Sequence, residues 1–205
     1  MAGFESEILV RGVRVLPGFL DPAAQADLVA ELRLVVAEAP LFTPETRYGR
    51  KMSVRMTSAG HFGWYSDRRG YRYVTEHPLT GRPWPAIPDR ALAVWQEVAG
   101  AARAPECCLV NWYAGDARMG LHQDRDEADF RQPVVSISLG DDARFRIGSV
   151  ARGGTTASIW LRSGDVAVIG GAARLVHHGV DRVAEGTSTL LPQGGRINLT
   201  MRVVT

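Results

Sequence analysis

The second half of the chain is a succession of short strand-like segments separated by glycine-rich turns. These segments occupy 107–113, 134–139, 143–147, 157–161, 165–169, 174–178 and 196–204. Many short strands with such turns favour a β-sandwich or β-barrel over an alternating α/β fold. The chain has 205 residues and is 45% hydrophobic, which is enough for one substantial core. We therefore expect a single, mainly β domain spanning 1–205.

The first half predicts a short strand and two flanking helices. A strand-like run occupies 8–15, and Asp21-Pro22 then supplies an N-cap followed by proline at the first helical position. An apolar stripe with helical spacing continues from there until Pro40. A second helix is predicted at 89–102. Both helices are expected to cover a sheet.

Residues 41–86 lie between the two predicted helices and are rich in Gly, Pro, Arg and aromatic residues. They contain one strand-like piece, at 52–57. A segment this irregular inside a compact domain is usually functional or mobile. We expect it to form a lid over a β core at about 107–205.

His122 and Asp124 form an H-x-D motif on a segment that reads as extended. Side chains two residues apart on a strand point to the same side, so this pair supplies half of a metal site. His177 and His178, far downstream, are the candidates for the remaining ligand. Two histidines and one carboxylate on one face of a metal are typical of non-haem Fe(II) oxygenases. An isolated H-x-D motif is nevertheless common by chance.

The last predicted strand carries a second polar group. Alternation places Arg196, Asn198, Thr200 and Arg202 on one face and apolar residues on the other. Guanidinium groups bind carboxylates in bidentate fashion, so this face suits a dicarboxylate ligand. The alternative interpretation is an ordinary strand with one solvent-exposed face. Asn111 and Tyr113 would add a pair of donors beside the H-x-D motif.

Positive charge is concentrated between Arg47 and Arg82. This window holds eight arginine or lysine residues against two acidic ones, although the whole chain carries a net charge of only +2. Six Phe, Trp and Tyr residues are interleaved with them. Such a surface can neutralise phosphates and stack bases. The alternative is a solvated basic face with a few buried rings.

Other features of the sequence bear on location and partners. No apolar run approaches the length that a bilayer requires, and the first residues lack the pattern of a signal peptide. Cys107 and Cys108 are adjacent and cannot form an ordinary structural disulfide with each other. We expect a cytoplasmic protein that does not bind membranes, with a monomer as the default state.

Four motifs in the second half occur in a recognisable order: N-x-Y at 111–113, H-x-D-x-D-E at 122–127, His178-Gly179, and R-x-N-x-T-x-R at 196–202. Together they resemble the AlkB family of Fe(II)- and 2-oxoglutarate-dependent dioxygenases, which dealkylate nucleic acids. The resemblance extends upstream to Met52-Ser53-Val54, Met56-Thr57, Gly63-Trp64, Gly70-Tyr71 and Pro83-Trp84-Pro85, which fit the family's nucleotide-recognition lid. It implies a double-stranded β-helix (jelly-roll) core with N-terminal helices and that lid.

The resemblance also implies a role for each residue of the metal and cosubstrate sites. His122, Asp124 and His178 would bind iron, with His178 preferred over His177 because glycine follows the family's distal histidine. Arg196 would bind the distal carboxylate of 2-oxoglutarate and Arg202 the carboxylate next to its keto group. Three further residues would complete the pocket: Asn111, Tyr113 and Asn198.

On the substrate side, the resemblance implies that Trp64 stacks on a flipped base whose other face lies near His122. Asp126 would read the exocyclic amine of that base. Met56 would line the base pocket, and the phosphates would be bound by Thr46, Tyr71 and Arg152. From sequence alone Trp64 is equally well explained as a buried core ring, and Asp126 as part of a solvated acidic run.

Two positions depart from the family pattern. Gly115-Asp116 replaces the usual Pro-Gly after the N-x-Y-A element, so that turn is expected to differ in shape. Ile169 occupies a position next to the active site where the family commonly has tryptophan. The width of the base pocket is therefore expected to differ from the family pattern.

The reaction implied is oxidative removal of alkyl groups from base nitrogens in DNA, with RNA as an alternative. It uses Fe(II), 2-oxoglutarate and O2 and releases an aldehyde, succinate and CO2. The nucleic acid would be single-stranded or locally opened, because the alkyl carbon is inaccessible inside a duplex. Two other classes stay open: a 2-oxoglutarate oxygenase acting on protein or a small molecule, and a metal-free jelly-roll binding module.

Overall fold

The computed structural model describes residues 6–205, in which thirteen strands, two α-helices and one short 3-10 helix are formed. The helices are α1 (Pro22–Glu38) and α2 (Asp89–Val98), and the 3-10 helix is Gly171–Ala173. The strands are β1 (Ile8–Val10), β2 (Val13–Leu16), β3 (Arg55–Gly60), β4 (Gly63–Asp67), β5 (Gly70–Val74), β6 (Cys107–Tyr113), β7 (Met119–His122), β8 (Val134–Gly140), β9 (Asp142–Ile147), β10 (Ala157–Leu161), β11 (Val166–Ile169), β12 (His178–Ala184) and β13 (Arg196–Arg202).

Two facing sheets form the core of the molecule. The larger has seven strands in the order β1-β2-β11-β8-β13-β6-β3, and the smaller has four in the order β10-β9-β12-β7. All the strand pairs within them are antiparallel. Strands that follow one another in the chain often lie in opposite sheets, as β8 and β9 do. The predicted jelly-roll core is confirmed.

Two apolar layers hold this arrangement together. One lies between the large sheet and the two helices, where Leu28 and Trp95 pack with Ile137 and Leu199. The other lies between the two sheets and includes Phe145. All seven residues of β8 are buried, and burial on both faces explains why the strand is apolar apart from Ser136, Ser138 and its terminal glycine.

The helices begin where the sequence predicts. The Asp21 carboxylate accepts a hydrogen bond from the backbone N–H of Ala24 at 2.8 Å, and Pro22 occupies the first turn of α1. Helix α2 is shorter than predicted and ends at Val98. Gly100 follows with a φ of +64°, a left-handed conformation that favours glycine and terminates helices. No helix within 6–205 is long and apolar enough to span a membrane.

Three strand predictions were wrong in detail. Residues 8–15 form a hairpin, β1–β2, rather than one strand, because Arg11 and Gly12 both adopt positive φ and turn the chain. The irregular 41–86 segment contains an unpredicted second hairpin, β4–β5. The predicted strand at 174–178 begins only at His178. Arg174 lies in the preceding turn, where its side chain is buried and bonded to three partners.

Candidate metal centre and cosubstrate pocket

The three predicted iron ligands meet at one end of the small sheet. His122 ends β7 and His178 begins β12, and the two residues are directly paired across these antiparallel strands. Asp124 follows two residues after His122. One ligand atom from each of the three lies within 4.8 Å of the others. His177 is turned away, with its Nδ1 at 3.0 Å from the carbonyl oxygen of Ser149.

Both histidines are oriented by the backbone. The Nδ1 of His122 lies 2.9 Å from the carbonyl of Gly120, and the Nδ1 of His178 lies 3.1 Å from the carbonyl of Val176. Because a carbonyl can only accept, these contacts assign the proton to Nδ1 and leave the Nε2 lone pair free. Such outer contacts fix the tautomer of metal-binding histidines.

Charge also favours a bound cation. Burial lowers the pKa of His122, helped by the neighbouring His178, so the ring stays neutral. Burial alone would raise the pKa of Asp124, but Arg202 and the two histidines hold it well below its ordinary value. Asp124 is therefore an ionised carboxylate, and its Oδ2 has no hydrogen-bond partner among residues 6–205. A buried anionic oxygen without a donor fits a metal ion.

A second group of polar residues lies behind these ligands, between the sheets. Asn111 and Tyr113 on β6 are directly paired with Asn198 and Arg196 on β13, and all four line one pocket with Arg202. The register of two adjacent strands therefore assembles the pocket. Every one of its predicted residues lies in it.

The two arginines of the pocket are buried cations with unused donors. Arg196 donates to the carbonyls of Asp141 and Leu161 and to the Ser138 hydroxyl, while its Nε has no partner within 6–205. Burial lowers its pKa to about 10, so it remains charged at neutral pH.

Arg202 donates to Asp124 Oδ1 at 2.9 Å and leaves its Nε and Nη1 without a hydrogen-bond partner in the described chain. Burial alone would lower its pKa, but Asp124 raises it well above the ordinary value. Two buried cations with spare N–H groups fit a dicarboxylate such as 2-oxoglutarate.

Asn198 lines the pocket, but its side chain is already hydrogen-bonded within the chain. Its amide nitrogen donates to the Ser136 hydroxyl at 2.7 Å, and its amide oxygen accepts from Thr200 at 3.0 Å. Both ends of the side chain are therefore engaged. Asn111, by contrast, keeps a buried amide oxygen without a partner among residues 6–205.

A cleft of about 350 Å³ opens on the metal ligands from the side of hairpin β4–β5. Thr46, Met56, Trp64 and Tyr71 line it, facing His122 and Asp126. The rings of Trp64 and Tyr71 stack with their centroids 5.4 Å apart, and the Trp64 indole N–H donates to Asp126 at 3.2 Å. Trp64 is therefore a cleft residue and not part of the sealed core.

Comparison with known proteins agrees with this geometry. The family model of the 2OG-Fe(II) oxygenase superfamily matches residues 12–202. An alpha-ketoglutarate-dependent dioxygenase AlkB homolog from Caulobacter vibrioides is 55% identical over 194 residues, which covers 95% of this chain and 88% of that protein. The chain belongs to the AlkB family. It is therefore a dioxygenase that depends on Fe(II), 2-oxoglutarate and O2.

Other AlkB relatives extend the match over almost the full length. The alpha-ketoglutarate-dependent dioxygenase AlkB of Escherichia coli is 40% identical over 200 residues, covering 96% of this chain and 92% of that protein. A solved structure titled "The structure of OsALKBH1" superposes with a TM-score of 0.78 at 32% identity, covering 98% of this chain and 99% of that one.

Two residues expected near the substrate of this AlkB-family chain lie outside the cleft. Arg152 is exposed in the loop between β9 and β10 and does not line the cleft, so its phosphate contact stays a prediction. Ile169 is buried and lines the inner pocket rather than the cleft. Its size therefore bears on the cosubstrate side of the site, because Ile169 ends β11 of the large sheet and is not among the residues that line the cleft.

Several residues of the AlkB site were missed by sequence reasoning. Arg118 lines the cleft, and its backbone N–H is held by the Ser53 hydroxyl at 3.1 Å. Gln123, the middle residue of H-x-D, donates to the carbonyls of Val150 and Leu175. The first of these hydrogen bonds connects the loop between β9 and β10, which contains Arg152, to the segment of the metal ligands. Its place inside the motif was the only available signal.

Proposed function

We propose that the protein removes alkyl groups from ring nitrogens of nucleic-acid bases, with single-stranded DNA as the preferred substrate and RNA as the alternative. The observation that carries this proposal is the cleft that opens on the metal ligands. It is lined by the stacked rings of Trp64 and Tyr71 and by Asp126, whose carboxylate accepts a hydrogen bond from the Trp64 indole. The names of its relatives support demethylation of a nucleic-acid base, since a relative from Arabidopsis thaliana that is 31% identical is named "DNA N(6)-methyladenine demethylase ALKBH1C"; the N6 atom is exocyclic, so the name does not bear on ring nitrogens.

The cleft residues account for binding of a damaged base. Trp64 is half-buried and lines the cleft, where its ring can stack on a base, a contact worth about 1–3 kcal/mol per base. Burial raises the pKa of Asp126, so its carboxylate is incompletely hydrated and gains from a cationic partner. N-alkylation on the pairing edge makes a base cationic and weakens its base pair, which lowers the cost of flipping it into the cleft.

The inner residues account for the reaction. When bound at His122, Asp124 and His178, iron with 2-oxoglutarate and O2 supplies the oxidising power that hydroxylates the alkyl carbon, while 2-oxoglutarate becomes succinate and CO2. Arg196 and Arg202 neutralise and orient the two carboxylates of the cosubstrate. The two sheets exclude water behind it. The hydroxylated carbon then leaves the ring nitrogen as an aldehyde, and the repaired base is released.

The proposal extends to organisation and setting. Residues 41–86 act as the nucleotide-recognition lid of a single domain, 1–205, whose jelly-roll core spans about 107–205. We take the protein to be monomeric and cytoplasmic.

The test is mass spectrometry of a short single-stranded oligonucleotide carrying 1-methyladenine or 3-methylcytosine. The oligonucleotide is incubated anaerobically with protein, Fe(II) and 2-oxoglutarate and then exposed to air, with the His178→Ala variant as control. Loss of one methyl mass that depends on 2-oxoglutarate and is absent in the variant supports the proposal. Succinate formed without loss of the methyl group would retain the oxygenase chemistry and refute the proposed substrate.

A further inference from the structure

Hairpin β4–β5 touches the segment after the metal ligand Asp124 through two neighbouring hydrogen bonds. The Trp64 indole donates to Asp126, and the Tyr73 hydroxyl donates to Glu127. Trp64 and Tyr73 are direct cross-strand partners in the hairpin. Two adjacent aromatic residues thus hold two consecutive acidic residues.

The two hydrogen bonds lie in different surroundings. Asp126 is exposed at the cleft, where an incoming base competes with the Trp64 N–H for its carboxylate. The Glu127 side chain is only 2% exposed. When a base takes the place of Trp64 as the partner of the Asp126 carboxylate, the hydrogen bond between Tyr73 and Glu127 therefore still attaches hairpin β4–β5 to the segment after Asp124.

Glu127 also reaches the cosubstrate pocket. Its carboxylate accepts a hydrogen bond from Arg174 at 3.0 Å and forms an ion pair, without hydrogen-bond geometry, with the Nε of Arg202 at 3.3 Å. Arg202 in turn donates to Asp124 at 2.9 Å. A continuous path of buried contacts thus runs from Tyr73 on the hairpin through Glu127 and Arg202 to the metal ligand.

We propose that Glu127 is a positioning residue that fixes hairpin β4–β5 through Tyr73 and aims Arg202 at the cosubstrate, so that base seating and cosubstrate orientation are coupled. The substrate part of this inference rests on the proposed function. The physical reason is that Glu127 limits where the Arg202 guanidinium can lie. Without it, Arg202 is free to turn both of its Nη groups toward Asp124 and away from the incoming carboxylate.

The path is suited to hold its shape. Burial raises the pKa of Tyr73 above its ordinary value, so its hydroxyl remains a donor at working pH. Arg174 holds the other carboxylate oxygen of Glu127 and also donates to the backbone carbonyl of Asp124 at 2.6 Å. Glu127 is therefore held from both sides, and loss of the Tyr73 contact removes the hold on the carboxylate oxygen that faces Arg202.

The experiment compares Tyr73→Phe with the matched control Tyr65→Phe in the full chain. Tyr65 lies on the same hairpin, but its ring contacts are with Phe42 and Arg72, away from Glu127. The first readout is hydrogen exchange of the amides at 63–74, measured without nucleic acid. We expect Tyr73→Phe to speed exchange there about tenfold, the factor that one hydrogen bond to a charged acceptor is worth, and Tyr65→Phe to leave it unchanged.

The second readout is the ratio of succinate to aldehyde with a methylated oligonucleotide. We expect this ratio to rise in Tyr73→Phe, because a loosened hairpin no longer sets Arg202 when the base is bound. The third readout is the visible absorption band of the anaerobic Fe(II)·2-oxoglutarate complex of Glu127→Gln. There we expect cosubstrate affinity to fall about tenfold even without nucleic acid.

The outcomes separate this inference from the proposed function. A wild-type protein that leaves the methyl group in place refutes the proposed function. Hydrogen exchange then still tests the anchor at Tyr73, and the absorption readout still tests the aiming of Arg202. Unchanged exchange in Tyr73→Phe overturns the anchor. Faster exchange with an unchanged product ratio, in an active wild type, overturns the coupling. Unchanged cosubstrate affinity in Glu127→Gln overturns the aiming of Arg202.

Discussion

Replacing Arg174 by methionine tests the electrostatics of the buried site without removing a metal or cosubstrate ligand. The Arg174 side chain is 3% exposed and donates to Glu127 and to the backbone carbonyls of Gln132 and Asp124. Arg174 and Arg202 balance the charges of Glu127 and Asp124. Methionine fills much of the space but leaves the group with an uncompensated negative charge. Breaking a buried ion pair in this way costs about 3–5 kcal/mol.

The measurement is thermal unfolding of the iron-free protein, followed by circular dichroism. In a chain of this length, a loss of about 4 kcal/mol corresponds to a fall in melting temperature of roughly 8–16 °C. Arg131→Met is the matched control, because that arginine pairs with Asp129 while its side chain is 90% exposed. It should cost less than about 1 kcal/mol. A natively folded Arg174→Met that loses no more than the control would refute the assignment of a buried, charge-balanced group.

Three further predictions follow from the site. Arg202 holds the pKa of Asp124 well below its ordinary value of 3.8 against the effect of burial. The stability that Asp124 contributes is therefore complete above about pH 4 and lost on further acidification, and urea midpoints should fall below that pH less steeply in Asp124→Asn. Arg118→Ala should weaken oligonucleotide binding for all sequences and reduce the slope of log affinity against log salt by about one; an unchanged slope would exclude a phosphate contact. Trp64→Ala should raise the KM for a methylated oligonucleotide about tenfold, with 2-oxoglutarate affinity unchanged, and equal KM values would argue against stacking.

The parts of the site that the sequence predicted are those that obey a local rule. His122 and Asp124 stand two apart, as do Asn111 and Tyr113, and alternation along a strand places each pair on one side. The choice of His178 over His177 came from the family pattern. In the structure His178 faces Asp124, while His177 is bonded to the loop after β9.

The parts that it did not predict depend on contacts between distant segments. Hairpin β4–β5 mixes polar and aromatic residues on both faces, so it lacks the alternation that marks a half-buried strand. The contacts of Glu127 with Tyr73 and Arg174 join three segments with no common period. Arg174 was predicted to be part of a strand because an apolar run follows it in the sequence. Its buried partner, the Glu127 carboxylate, lies far away in the chain and gives no local signal.

The buried polar atoms that lack a hydrogen-bond partner are concentrated in the metal and cosubstrate site. Five of the six such buried side-chain atoms within 6–205 belong to Asn111, Asp124, Arg196 and Arg202, and all four of these residues line the same pocket. Each unmade hydrogen bond of this kind costs about 1–3 kcal/mol, and more for a charged group. A fold that only needed stability would fill this space with apolar side chains, as it does elsewhere between the sheets. A preorganised site concentrates these unmade interactions in one place. A cation at Asp124 and carboxylates at the two arginines then supply the partners that the folded chain lacks.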